Sequence, residues 1–347
     1  MQRGIFPEVM TARTWGLKDI MRNKRALICG VSGQDGSLLA DFLVKKGYEV
    51  WGTSRDIEAS NFLNLKRLGI FDSINLRSLV STDFRNVFTI LSQAEPDEIY
   101  FLGSQSSVSL SFQQPAETIE SVVNGVLNFL EAIRILRLDA KFFNPSSSEC
   151  FGNTAQLPAD ENTPFSPVSP YGVAKTAAHH LVSSYRRAYK IFGCNGILFN
   201  HESPLRPARF VTQKIIAAAH AIATGSQTHL RLGRLDIVRD WGWAPKFVEG
   251  MWLTLQHESA DDYIFATGEP NSLETFVSTV FECYNLHWQN HVIQEEGLYR
   301  PSELNCIYGN PAKIKTVLGW EPEFRMSDVA KMMVKAYNEN KNNIGLT

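Results

Sequence analysis

Residues 25–36 read RALICGVSGQDG: an apolar run, then glycines at 30, 33 and 36, then the start of a pattern that is helical through DFLVKKG at 41–47. A strand, a GxxGxxG turn and a helix in that order let backbone amides approach a pyrophosphate seated on the helix N-terminus and its partial positive charge. The same glycines could serve only as a tight turn in an unrelated α/β protein, so the chain downstream of them decides. It has a rhythm of short apolar runs and longer helical patterns: YEVWGT (48–53), INLRSL (74–79), DEIYFL (97–102), KFFNPS (141–146) and GILFN (196–200) read as further strands. Between DEIYFL and KFFNPS, ETIESVVNGVLNFLEAIRIL (117–136) has the spacing of a crossover helix. The pattern predicts an α/β chain with a Rossmann-type, doubly wound parallel sheet. Gly30, Ser32, Gly33, Gln34, Asp35 and Gly36 are then the first candidates to hold a dinucleotide.

The rhythm breaks after Asn200, where the chain becomes richer in Pro, Trp and Arg. Residues 1–23 read as an N-terminal tail, with Met21 a possible alternative start; 24–200 read as the dinucleotide-binding domain. Residues 201–347 read mainly as a smaller mixed substrate lobe, with some segments returning to the first domain. In NSLETFVSTVF, Asn271 and Glu274 have capping-box spacing.

Lys plus Arg at 34 against Asp plus Glu at 36 leaves a formal charge of −2 over 347 residues, so nothing marks a nucleic-acid or anionic-membrane surface. No window approaches the roughly 18 apolar residues of a membrane span, and the N-terminus lacks the apolar run of a secretory signal. The five cysteines, at 29, 150, 194, 283 and 306, form no CxxC pair and read as packing thiols of a reduced, cytoplasmic protein. His287 and His291 in HWQNH are four apart but lack a third ligand, so no metal is expected. His179 and His180 read as surface residues.

The second strand ends YEVWGTSRD. Thr53 and Ser54 stand where an acid would meet the adenosine ribose, and Arg55 follows, which favours NADP, while Asp56 opposes a 2′-phosphate. A second cluster is NPSSSECFG at 144–152, followed by SPYGVAK at 169–175. The serines could be capping residues and Glu149 a solvated neighbour. Tyr171 and Lys175, however, are four apart, a spacing that stacks them on one helix face, where an ammonium can lower a phenol's pKa and make it a base. A YxxxK match alone is weak in a chain with ten tyrosines. Its position, downstream of a dinucleotide loop and just after the strand bearing Ser147 and Glu149, is that of the base in short-chain dehydrogenases.

Within the extended branch of that superfamily, GVSGQDGSLLADFL, SSSECFG, SPYGVAK, ILFNHESPLRP, FVTQKI and RLDIVRDWGWAPKFVE resemble the GDP-mannose 4,6-dehydratase family, from residue 25 to about 335. FNHESP (199–204) is the most specific of these segments. The resemblance implies a catalytic set of Ser147, Glu149, Tyr171 and Lys175. Tyr171 would take the C4 hydroxyl proton while hydride passes to NADP, Glu149 would abstract the C5 proton, and the Ser147 hydroxyl would assist loss of water from C6 before hydride returns there. Cofactor contacts would add Arg55, Leu102, Ser104, Gln105, Ser106, Lys175, His201 and Arg206 to the glycine turn. Ser107, Asn200, Lys214, Arg239, Arg300 and Glu303 would hold the GDP-sugar, although an arginine in such a lobe is often half of a surface ion pair worth under about 1 kcal/mol. A homodimer or homotetramer is implied.

The chain departs from the family at Ser147, where threonine is usual, at Val80 and Ser81, where the adenine-binding Asp-Leu is absent, and at Asp56, which replaces one of two paired arginines. GDP-manno-heptose is an alternative substrate. An NADP-dependent epimerase or reductase, which would need no C5 base, is a second reading, and a non-catalytic nucleotide sensor a third.

Overall fold

The computed structural model describes residues 22–154 and 157–344. Six strands lie where the apolar runs place them: β1 (Arg25–Cys29), β2 (Glu49–Ser54), β3 (Ile74–Ser78), β4 (Glu98–Phe101), β5 (Lys141–Ser147) and β6 (Gly193–Leu198). A seventh, Asp262–Phe265, comes from the second half of the chain. The sheet order is seventh, β6, β5, β4, β1, β2, β3, with every pair parallel.

Strands of this kind are apolar throughout because both faces are buried. Along β1 the side chains alternate between two cores: Ala26 and Ile28 pack with Leu39, Leu43 and Tyr100, whereas Leu27 and Cys29 pack with Phe101, Phe129 and Phe142. The order reverses between β1 and β4. In a doubly wound sheet the crevice outside the carboxyl ends of such neighbours is where ligands bind. The turn after Cys29, the loop after Phe101 and the serines ending β5 all open there.

The first turn is set by backbone packing. Gly30 has φ +79°, and a Cβ on it would lie 2.6 Å from Gly103 Cα; a Cβ on Gly36 would lie 2.2 Å from the Gly30 carbonyl oxygen. Helix Gln34–Lys45 is therefore seated directly against the turn. Gly33 differs, because its nearest protein atom would be an ordinary 3.4 Å away.

The crossover expected over 117–136 is present but not uniformly α-helical: Pro115–Ile119 and Gly125–Leu136 flank a π-helical stretch, Glu120–Asn124. Ser272, not Asn271, caps helix Leu273–Glu282, accepting from the Thr275 amide at 3.0 Å, so Glu274 does not stand at the position a capping box requires. Arg22, within the stretch read as a tail, pairs with Asp97 at 2.8 Å; the Met21 start lies outside the described residues.

Helices Val211–Ala223, Leu273–Glu282 and Met326–Ile344 build the second lobe around Ile215, Trp241, Phe276 and Met333. Two segments of that half belong to the sheet domain: helix Ala244–Gln256, whose Phe247, Met251 and Leu255 share a core with Leu39 and Leu43, and the seventh strand itself. Gly36→Ala should lose at least about 2 kcal/mol, since the obstacle is backbone that cannot swing aside. Denaturant midpoints of the purified variant measure this, and an unchanged midpoint would refute the packing account.

Candidate active site

A cavity of about 860 Å³ opens between the lobes over the carboxyl ends of β4 and β5. Ser147, Glu149, Tyr171 and Lys175 all line it, together with Asp35, Leu102, Ser104, Ser106 and Ser107 from the first domain, and Asn200, His201, Arg206, Lys214, Arg239, Arg300 and Glu303 from the second. Gly30, Ser32, Gly33, Gln34, Gly36, Arg55 and Gln105 do not.

The chain builds the centre locally. β5 ends at Ser147, whose Oγ accepts from the Glu149 amide at 3.2 Å and opens the short 3₁₀ turn Ser148–Cys150. This bond pins the Ser147 hydroxyl, so its rotamer does not depend on the methyl group a threonine would bring. Helix Pro170–Tyr189 then starts with Ser169 as cap, accepting from Gly172 N at 3.0 Å, and Pro170 in the first turn. Gly172 lets the helix approach the turn, for a Cβ there would meet the Glu149 carbonyl oxygen at 2.7 Å. Tyr171 is thereby held beside Ser147 and Glu149.

The electrostatics differ from the expectation that Lys175 lowers the phenol. Lys175 Nζ donates to the Pro145 carbonyl at 2.7 Å and lies 3.5 Å from Ser104 Oγ. It stands 5.7 Å from the Tyr171 ring centre. Burial pushes the Tyr171 phenol well above its ordinary value, with the Ser147 hydroxyl working against the shift. Burial also lowers Lys175 to about 8. Glu149 is raised by burial, partly offset by the positive charges of Arg239 and Arg300.

Those two arginines share one carboxylate: Glu303 meets Arg239 at 2.8 Å and Arg300 at 3.1 Å. Arg300 also donates to Ser109 Oγ at 3.2 Å, tying the second lobe to the short helix Val108–Gln113 that follows β4. By contrast, the Lys214 ammonium and the Asn200 amide have no hydrogen-bond partner among the described residues, and both face the cavity. Arg209, stacked with Arg206 on Phe210, was not anticipated from the sequence and adds a further cation to the lining.

Several of the residues named from the sequence also bond within the protein. Gln105 turns back on its own loop, bonding the Ser107 backbone and Thr118 Oγ1. The buried Gln34 amide bridges to the second lobe, donating to the His201 carbonyl at 3.2 Å and accepting from Ser203 Oγ at 2.9 Å. His179 is not a surface residue: it is buried, 3.2 Å from Ser146 Oγ and 3.5 Å from Asp262. Its spacing four residues beyond Lys175 placed it on the same buried face. Cys29, Cys150 and Cys194 are buried packing thiols, but Cys283 is exposed. His291 Nδ1 lies 3.1 Å from the Thr228 carbonyl oxygen, its ring stacked on Phe281.

The residues fit a dinucleotide. Helix Gln34–Lys45 has no side-chain cap at its N-terminus, and a Cβ on Gly33 beside it would meet only the Gly30 carbonyl oxygen, at 3.4 Å. Arg206 Nε is buried without a hydrogen-bond partner; it lies 3.3 Å from Glu202 Oε2, but at an angle that makes no hydrogen bond.

A family model described as GDP-mannose 4,6 dehydratase matches residues 27–333. The chain is 43% identical over 324 residues to GDP-mannose 4,6 dehydratase 2 of Arabidopsis thaliana, covering 90% of this chain and 86% of that one. It is 41% identical over 338 residues to GDP-mannose 4,6-dehydratase of Sinorhizobium fredii, covering 90% and 96%. Among solved structures, UDP-glucose 4-epimerase of Thermus thermophilus in complex with NAD has a TM-score of 0.80 at 22% identity, covering 90% of this chain and 99% of that one. dTDP-glucose 4,6-dehydratase of Streptomyces venezuelae with NAD and TYD bound has 0.80 at 20%, covering 92% and 98%. At those identities the structures share the fold.

Gly33→Ala should fold with a near-native midpoint and bind NADP⁺ about tenfold or more weakly, because its methyl would intrude only on the ligand. Titration calorimetry beside a denaturation curve separates the two effects, and native-like affinity would refute the assignment of that space.

Proposed function

The chain belongs to the GDP-mannose 4,6-dehydratase family, and as a hydro-lyase it dehydrates GDP-mannose; we propose that it does so in the cavity between the lobes, with Ser147, Glu149, Tyr171 and Lys175 as the catalytic set and NADP as the cofactor. The observation that carries the proposal is the placement of a phenol, a carboxylate and a hydroxyl together over the β5 terminus, with cations behind them. When bound, the nicotinamide accepts a hydride from C4 and returns it to C6.

Tyr171 receives the C4 hydroxyl proton as that carbon is oxidised. Its high intrinsic pKa makes it a strong proton acceptor once ionised, and the Ser147 hydroxyl and the Arg206 charge are the groups that favour that state. Lys175 is also fixed by Pro145 and Ser104 for a ribose contact. The C4 ketone acidifies the C5 hydrogen, which Glu149 takes. The pinned Ser147 hydroxyl delivers a proton to the C6 oxygen, which departs as water, and takes up in its place the proton held by the Tyr171 phenol bonded to it; Glu149 returns its proton to C5 once C6 has been reduced. The balance is loss of one water with no net change in the cofactor. Lys214, Arg239, Arg300, Asn200, Ser107 and Glu303 hold the GDP end, where local cations are needed in a near-neutral protein.

Two features support NADP over NAD. Asp56, which would repel a 2′-phosphate, accepts from its own loop, from Glu58 N at 2.9 Å and Ala59 N at 3.3 Å. Arg55 remains 83% exposed, with only a 3.6 Å contact to Glu117. In place of the absent carboxylate, Val80 offers an exposed apolar contact to the adenine. We place the enzyme in the cytoplasm, as a homodimer or homotetramer. No described helix is long and apolar enough to cross a membrane.

Incubation with GDP-mannose should give a product lighter by one water with no net NADPH. Turnover of GDP-manno-heptose alone would reassign the substrate, and accumulating NADPH would indicate a redox enzyme instead. Glu149→Gln should abolish the dehydrated product while still permitting a partial rise in absorbance of the reduced cofactor in a single turnover; normal dehydration would remove Glu149 from the mechanism. In the native enzyme, kcat/KM should rise with pH as Glu149 ionises above the ordinary carboxylate range, and fall above about 8 as Lys175 loses its charge.

A further inference from the structure

The imidazole of His201 is flanked by two acceptors. Nδ1 lies 2.7 Å from the Phe199 carbonyl oxygen, and Nε2 lies 3.0 Å from Asp35 Oδ2. A carbonyl only accepts, and so does an ionised carboxylate, so both ring nitrogens need a proton. The ring is buried, and Phe247 stacks on it at 4.7 Å and 18°, which fixes its orientation. With both nitrogens engaged, His201 has no donor left for a ligand.

Asp35 is the partner that matters. It lies in the first turn of helix Gln34–Lys45 and lines the cavity. A carboxylate there suits the helix dipole but opposes a second anion at the same N-terminus. Its other oxygen accepts from Gln34 Nε2 at 2.9 Å, a neutral contact. The other charges facing the pair are the Arg206 guanidinium, from the loop after strand Asn200–Glu202, and the Lys175 ammonium, from helix Pro170–Tyr189. Glu202 is taken up by Arg206 and by Thr212 Oγ1 at 2.8 Å.

We propose that His201 is a resident imidazolium whose task is to neutralise Asp35, so that the N-terminus of helix Gln34–Lys45 stays electropositive for a dinucleotide pyrophosphate. This rests on the dinucleotide reading of the cavity. His201 is then a positioning residue acting through Asp35, by which the second lobe's FNHESP segment sets the affinity of the first domain's glycine turn. The pair's own shifts agree in direction: burial opposes both charges, yet each partner holds the other charged, Asp35 lowered and His201 raised. The imidazolium is present below its raised pKa and lost as pH rises through it, which leaves Asp35 without its hydrogen-bonded cation and only the more distant charges of Arg206 and Lys175 to offset it. Affinity for the pyrophosphate should fall in that window.

The test uses the full-length protein with histidine labelled in ¹⁵N, the His201 signal assigned by its loss in His201→Asn. NADP⁺ and NAD⁺ affinities are measured by calorimetry from pH 6.5 to 9.5. We expect His201 to be doubly protonated at pH 6.5, and affinity to weaken about five- to tenfold across its titration, the scale of one charge near a helix terminus. Asp35→Asn should flatten that pH dependence. His201→Asn should bind weakly at every pH, and the double variant Asp35→Asn/His201→Asn should recover most of the loss, which a purely structural histidine would not do. A neutral imidazole at pH 6.5, affinity that stays level while His201 titrates, or no recovery in the double variant overturns the proposal. Should the variants fail to fold, the native titration decides by whether affinity falls with the His201 ¹⁵N shift, and a fall that follows only the loss of the Lys175 charge at about 8 overturns the proposal. Binding of neither dinucleotide at any pH would overturn the reading of the cavity, a result distinct from binding that ignores pH.

Discussion

The contact between Gly36 and the carbonyl of Gly30 is the constraint on which the remainder hangs. No side chain can stand between them, so helix Gln34–Lys45 begins on the backbone of the preceding turn. That seating aims the helix's free amides into the crevice at the sheet's reversal point. It also puts Gln34 and Asp35 within reach of residues more than a hundred and sixty positions later, His201 and Ser203. One backbone contact thus fixes the anion site and the junction of the two lobes together.

The catalytic side rests on a comparable economy. Ser147, Glu149 and Tyr171 come from the end of one strand and the start of one helix, and Gly172 allows the helix to close on the Glu149 carbonyl. Burial acts on all the titratable members: it raises Tyr171 and Glu149 and lowers Lys175, so each is displaced toward its neutral form. For Glu149 and Lys175 this brings proton exchange closer to neutral pH, whereas Tyr171 is moved away from it and depends on the Ser147 hydroxyl and the Arg206 charge to ionise.

Much of this was legible in the sequence because buried parallel strands read as unbroken apolar runs, and because glycines that must touch backbone cannot be disguised. The residues proposed as catalytic were picked out by motif order and resemblance, and Ser147, Glu149, Tyr171 and Lys175 do line one cavity. What escaped depended on tertiary partners. The strand DYIF is four residues long and sits among acidic residues, too short for a periodic signal. His179 looked like a surface residue, although its spacing from Tyr171 and Lys175 marked the buried face. Gln34, Gln105 and His201 stood in the expected motifs, but their side chains are spent on Ser203, Thr118 and Asp35, contacts that no local pattern encodes. Asp56, which opposes a 2′-phosphate in the sequence, has one carboxylate oxygen bonded to the amides of its own turn.

The late origin of the seventh strand has a consequence for how the protein is made. β6 is buried along its whole length, yet one of its edges has no partner until the chain has been synthesised through Phe265. Arg186, Asn195 and His179 likewise wait for Asp262 before their charges and amides are matched. A nascent chain halted after β6 would present a flat apolar edge with open hydrogen bonds, the form of surface on which strands of other chains add. The dinucleotide domain is therefore continuous in function but not in sequence. Any truncation that removes the second lobe also removes the strand that closes the first.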